Sequence, residues 1–217
     1  MTTPADQSAL YQTRSGAGST LGRQLYQRVT TPMVVWGLAP SGVEIAAAAA
    51  EAMKCKFDVV VSAYVRIETD EIVGAMAEDA EAVLDQTFQP RFSSLEQLEA
   101  AFERTRRAIK QERLLFRGQR PIRNVGDSSV VIIDGHVTVP WKLLAAAKCA
   151  EAMKPTRVVV AAAVSTKAVQ DAIRTRRWEF VCPSVVMNRE GHQMPFGDSQ
   201  DPSAERLRSI VVARQAA

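Results

Sequence analysis

Val130-Val131-Ile132-Ile133-Asp134-Gly135-His136-Val137-Thr138-Val139-Pro140-Trp141-Lys142 is the stretch on which the fold turns. Four consecutive β-branched apolar residues read as a strand buried on both faces, because a strand with one wet face would alternate. The spacing predicts a strand over Ser129 to Ile133, a turn from Asp134 to Lys142 and a helix from about Val139 to Met153. A carboxylate closing the strand and a loop opening the helix suit an anion or sugar site, since helix N-termini present unpaired N–H groups and a partial positive charge. The same Asp134 and Thr138 serve equally well as caps of the turn and helix.

Similar units lie on either side. Met33 to Leu38 reads as a strand, followed by the turn Ala39-Pro40-Ser41-Gly42, an alanine-rich helix from about Val43 to Lys54 and a strand over Phe57 to Ala63. Downstream come a strand over Arg157 to Ala162, a helix from about Thr166 to Arg174 and a strand over Glu179 to Cys182. Between them, Ile72 to Ala77 and Ala82 to Leu84 form a hairpin, and Ser93 to Phe116 forms one long polar helix. A turn-rich segment, Asn188 to Pro202, and a short helix near Ser203 to Val212 close the chain. The expected fold is α/β: a three-layer, mostly parallel five-stranded sheet, helices on both faces, and a small hood from the hairpin and the chain ends. One domain spans residues 1–217, with a hairpin and long-helix insertion at about 64–125. Ala50-Glu51-Ala52-Met53-Lys54 and Ala150-Glu151-Ala152-Met153-Lys154 each precede a valine-rich strand, which reads as two similar αβ units or as coincidence.

In open parallel sheets ligands sit beyond the carboxyl ends of the strands, where strand order reverses. Two turns therefore hold the candidate ligand-binding residues: Ala39, Pro40, Ser41 and Gly42 in one, and Asp134, Gly135, His136, Val137, Thr138 and Lys142 in the other. His136 beside Asp134 and Lys142 at a helix start fit either a re-tasked anion pocket or a solvated loop histidine and a surface lysine.

Composition narrows the function classes. With 27 Lys plus Arg against 24 Asp plus Glu, the net charge of +3 does not by itself mark a nucleic-acid binder. The basic run Arg104, Arg106, Arg107, Lys110, Arg113, Arg117, Arg120 and Arg123 is the strongest local charge signal, and helical spacing puts Arg106, Lys110, Arg113 and Arg117 on one face. A fold-level role is the leading reading, a phosphate-attracting wall the next; without interleaved aromatic residues, nucleic acid is the weakest. Cys55, Cys149 and Cys182 are isolated, as reduced thiols in the cytoplasm would be. Met1 to Gln7 lacks the pattern of a signal peptide, and Val158 to Val164 falls far short of the roughly 18 apolar residues a membrane span needs. Neither His136 nor His192 belongs to a ligand cluster, so no metal site is expected. Ala39-Pro40-Ser41-Gly42-Val43 is not the nucleophile elbow of a hydrolase.

The order of elements, with Ile72-Val73-Gly74-Ala75-Met76-Ala77-Glu78, Gln111-Glu112-Arg113-Leu114-Leu115-Phe116-Arg117-Gly118 and Val130 to Lys142, resembles the type I phosphoribosyltransferases, in particular bacterial phosphoribosyltransferase-domain proteins of about this length. The likeness runs from about Gly22 to Val211. It implies a site for phosphoribosyl pyrophosphate, with two adjacent carboxylates on the ribose hydroxyls, a Thr-Gly-x-Thr loop around the 5'-phosphate and Mg²⁺ carried by the pyrophosphate. It also makes a homodimer the expected assembly.

Measured against that pattern, the motifs are degenerate. Asp134 matches the first carboxylate, but Gly135 replaces the second, and Val139-Pro140-Trp141-Lys142 replaces the phosphate loop with a proline that has no N–H and a bulky tryptophan. Ala39-Pro40-Ser41-Gly42 stands where relatives have Pro-Arg-Gly-Gly, and Ala63-Tyr64 where they have Arg-Lys. Charge-assisted hydrogen bonds contribute about 1.5–3 kcal/mol each, so the losses sum to roughly 5 kcal/mol or more, about three decades in affinity. The resemblance thus implies a phosphoribosyltransferase-like protein impaired in catalysis, holding a phosphorylated or nucleotide-like ligand or a protein partner, with no resident cofactor. The alternatives are an active transferase with Asp134 on the ribose, and a nucleotide-responsive regulator using the Arg106 to Arg117 face.

Overall fold

The structure is a computed structural model that describes residues 9–29, 32–67, 70–85, 95–176, 178–187, 195–198 and 201–215. In chain order the elements are α1 (Arg14–Tyr26), β1 (Met33–Leu38), α2 (Val43–Met53), β2 (Lys56–Val60), β3 (Ser62–Arg66), β4 (Ile72–Ala77), β5 (Val83–Leu84) and α3 (Leu95–Arg117). They continue with β6 (Ser129–Val137), α4 (Trp141–Glu151), β7 (Arg157–Thr166), α5 (Lys167–Arg174), β8 (Glu179–Val181), β9 (Ser184–Val186) and α6 (Ala204–Gln215). No helix among the described residues is long and apolar enough to cross a membrane.

Five strands lie parallel in the order β2-β1-β6-β7-β8, and β9 pairs with the far end of β7. From β1 the chain goes to β2 on one side and later to β6 on the other, so the order reverses between β1 and β6. Strand alternation splits the buried valines and isoleucines between two layers. Val35, Val131 and Ile133 pack with Leu21, Leu25 and Ile45 of α1 and α2; Trp36, Val130 and Ile132 pack with Leu143, Leu144 and Ile173 of α4 and α5. The fold class expected from the sequence, a mostly parallel α/β sheet sheathed by helices, is therefore what forms.

Four features differ from expectation. The strand expected over Phe57 to Ala63 divides: β2 ends at Val60, and β3 joins β4 and β5 in a separate antiparallel sheet. The strands expected to end at Ile133 and Ala162 run on together to Val137 and Thr166, because each supplies the other with a pairing partner as far as Val137 and Ser165. Asp134, Gly135, His136 and Val137 are consequently strand residues and not part of a turn. β9 and α1 are additions to the expected elements. α1 carries its contact in glycines: a methyl on Gly22 would come within 2.9 Å of the Ala49 Cα and 3.0 Å of the Ala52 Cβ. A helix that packs by being thin shows no apolar stripe.

The alanine-glutamate-alanine-methionine-lysine echo has a backbone counterpart. Lys54 and Lys154 both leave their helices in the left-handed conformation, with φ of 52° and 54°. That conformation costs a non-glycine residue about 1 kcal/mol or more, yet it reverses each chain toward its strand.

Candidate functional site

The carboxyl ends of β1 and β6 meet at the point of strand reversal, and both candidate segments lie there. The turn after β1 holds a cis Ala39–Pro40 bond. Its Ala39 N–H donates to the Val60 carbonyl at 3.0 Å and its Gly42 N–H to the Leu38 carbonyl at 2.8 Å. Gly42 is seated against β6: a methyl there would run into the carbonyl oxygen of Ile133 and stand 2.9 Å from the Asp134 Cα. In the other direction, a methyl on Gly135 would stand 2.7 Å from the Ser41 carbonyl oxygen and 3.2 Å from the Ile45 Cδ1. The two glycines let the turn and the strand close on each other without a gap.

Asp134 lies in that seam, only 6% exposed. One of its oxygens, Oδ1, accepts from the Ser41 hydroxyl at 2.5 Å and from the Gly135 N–H at 2.7 Å. Ser41 and the Gly135 N–H thereby take up the acceptor capacity of Oδ1. The place of Ser41 on the turn was visible in the sequence; its engagement with Asp134 was not.

His136, two residues along the strand and so on the same face as Asp134, is exposed. It lines a cavity of about 300 Å³ together with Pro40, Ser41 and Phe196. Partial burial lowers the His136 pKa, while the Asp134 charge acts to raise it. The far wall comes from a segment fastened to the other end of the chain. Tyr11 pairs with Phe196 as a single β-bridge, its N–H donating to Pro195 and its carbonyl accepting from Gly197. Arg14 donates to the Asp198 carbonyl at 2.8 Å and to Asp201 at 2.7 Å, with its guanidinium 5.0 Å from the Phe196 ring centre. His192 lies outside the described residues, as do residues 188–194 of the turn-rich segment.

The helix expected at Val139 begins instead at Trp141, with Pro140 as an N-cap that supplies no side-chain hydrogen bond. Thr138 thus does not cap it. Val137 is buried, and Thr138, Val139, Pro140 and Trp141 are half-buried, with Trp141 packed on the α4 layer. Lys142 turns back over the first turn: its ammonium donates to the Ala39 carbonyl at 3.3 Å and stands 5.7 Å from the Tyr64 ring centre. Glu112 of α3 is raised in pKa by burial and drawn back down by Lys142. Sequence reasoning connects Tyr64 to this site only as a departure from the family's Arg-Lys pair, and Glu112 not at all; both meet it through Lys142.

Three members of the basic run, Arg106, Arg117 and Arg120, form ion pairs. Arg117 is buried and pairs with Glu78, whose other oxygen accepts from the Val61 N–H at 2.8 Å. Arg120 grips the fully buried Asp58 through both terminal nitrogens, at 2.5 and 2.8 Å, and the Arg123 N–H adds a third bond at 2.7 Å. Arg106 pairs with Glu103 on the surface. On the helix face that spacing gives to Arg106, Lys110, Arg113 and Arg117, Arg117 is thus buried and not open to a ligand. Among the described residues no group of three or more His, Cys, Asp or Glu side chains is placed to hold a metal ion. Burial pushes the Cys55 and Cys149 thiols up to about 11 and about 12, which makes both poor nucleophiles.

No family model matches the chain, and no curated protein matches it by sequence. Solved structures do. TT1426 from Thermus thermophilus is 26% identical over 94% of this chain and 98% of its own, with a TM-score of 0.78. A hypothetical protein from Neisseria gonorrhoeae with bound ppGpp is 8% identical, over 95% and 97% of the two chains, at 0.53. A hypoxanthine phosphoribosyltransferase from Staphylococcus aureus is 8% identical, over 81% and 73%, at 0.49.

Proposed function

We propose that this is a phosphoribosyltransferase-like protein whose phosphoribosyl pyrophosphate cradle is closed, so that catalysis of the family reaction is impaired while a phosphorylated or nucleotide-like ligand, or a protein partner, is held elsewhere. The observation that carries this reading is the seam between Ser41 and Gly135. The family pattern asks for two carboxylates side by side; here the second position has no room for a Cβ beneath the Ser41 carbonyl, and the first carboxylate already accepts the Ser41 hydroxyl. Lys142, the cation nearest the old phosphate loop, is drawn instead to Ala39 and Tyr64. Any Mg²⁺ would arrive with the pyrophosphate and leave with it.

Calorimetric titration of phosphoribosyl pyrophosphate with Mg²⁺ tests the reading directly. The expected result is no binding in the micromolar range, and loss of any residual heat in Asp134→Ala. Micromolar binding that Asp134→Ala abolishes would establish an intact cradle and the active-transferase alternative.

A further inference from the structure

We infer that the cavity between α3 and the β4–β5 turn binds a phosphorylated small molecule with a flat apolar body, its phosphate on Lys110 and Arg113. This deepens the part of the proposed function that assigns the chain a phosphorylated ligand, and places that ligand away from the closed cradle. The cavity measures about 620 Å³, within the range of roughly 300–1,000 Å³ typical of small-molecule sites. Phe102, Arg106, Ile109 and Arg113 follow one another at spacings of four, three and four, so one stripe of α3 forms a wall, with Lys110 beside it. Met76 and Ala77 at the end of β4 provide an apolar floor, which with the Phe102 ring suits a flat body.

The charges decide what kind of ligand fits. Glu78, Asp79 and Glu81 line the cavity along with the three cations. Glu81 is taken by Lys148 at 2.9 Å, and Glu78 by Arg117. Arg106 is satisfied by Glu103. Among the described residues that leaves Lys110 and Arg113 in no salt bridge, with Asp79 the one lining carboxylate not taken by an ion pair. Behind them Glu78 is held by Arg117, with the Arg113 charge also lowering its pKa, and the Arg113 Nε is buried with no hydrogen-bond partner among the described residues. An incoming phosphate would supply the acceptor that the Arg113 guanidinium lacks, because a guanidinium presents its donors as a fork matching phosphate oxygens. Asp79 on the opposite rim favours a ligand with an N–H donor at the end away from its phosphate.

Titration of the full chain with AMP and with adenosine, in separate calorimetric runs, tests this. AMP is expected to bind at least about tenfold more tightly than adenosine, given the strength of charge-assisted hydrogen bonds. Arg113→Gln and, independently, the exposed Lys110→Gln should each weaken AMP about tenfold or more by the same measure, while Asp134→Ala leaves it unchanged. Equal binding of AMP and adenosine, absence of AMP binding, or AMP binding insensitive to both α3 variants would overturn the inference while leaving the closed cradle intact. AMP binding lost in Asp134→Ala but retained in the α3 variants would overturn the inference and the closed cradle together.

Discussion

Arg117→Met is expected to destabilise the folded chain by about 3–5 kcal/mol, the cost of leaving one member of a buried ion pair without its partner. The Arg117 side chain is fully buried and Glu78 is 4% exposed, so neither charge has water to fall back on. The loss should depend on pH, and its sign follows from Glu78. Burial raises the Glu78 pKa, and the charges of Arg117 and Arg113 pull it down. Removing Arg117 leaves burial less opposed and raises the folded-state pKa further. A carboxyl group raised on folding destabilises fully above its folded pKa and ceases to do so below its unfolded value, about 4.3 for glutamate. The gap between Arg117→Met and the parent should accordingly be widest near neutral pH and shrink on acidification. Adding Glu78→Gln, which keeps an acceptor for the Val61 N–H, should recover most of the loss at neutral pH. Urea unfolding of both variants at several pH values reads all three effects; a single variant as stable as the parent would show that the pair is dispensable.

The second large effect is expected from restoring what the family pattern has and this chain lacks. Gly135→Asp recreates the adjacent carboxylates in sequence, yet its Cβ would press on the Ser41 carbonyl and the Ile45 side chain. The new charge would also lie next to Asp134 in a seam that excludes water. A loss of about 3 kcal/mol, the upper part of the overpacking range, is expected in urea unfolding, with no gain in phosphoribosyl pyrophosphate binding. A stable Gly135→Asp variant that binds the sugar phosphate would show that the turn after β1 is free to move aside, and the closed cradle would fail with it.

These two residues also mark where the sequence stops being legible. The parallel sheet was readable because its strands are continuous β-branched runs, and β1, α2, α3, β8 and α6 fall close to their expected spans. That the turn after β1 and the end of β6 adjoin was readable too, because both lie where strand order reverses. The extension of β6 to Val137 was not, since glycine and histidine after an aspartate read locally as a turn, and only pairing with β7 overrides that preference. The Ser41–Asp134 bond joins residues 93 positions apart, a relation no local pattern encodes. Charge spacing on α3 correctly located a cationic stripe but not which member is buried, because Glu78 arrives from a different sheet.

Tyr11 and Arg14 grip Pro195, Phe196, Asp198 and Asp201, which follow them in sequence by more than 180 positions in each case. During synthesis the first helix and strand leave the ribosome long before the residues that fasten them. The small chamber beside His136 therefore has its last wall fitted only after a further 184 to 187 residues have followed Arg14, and until then that side of the chamber lies open.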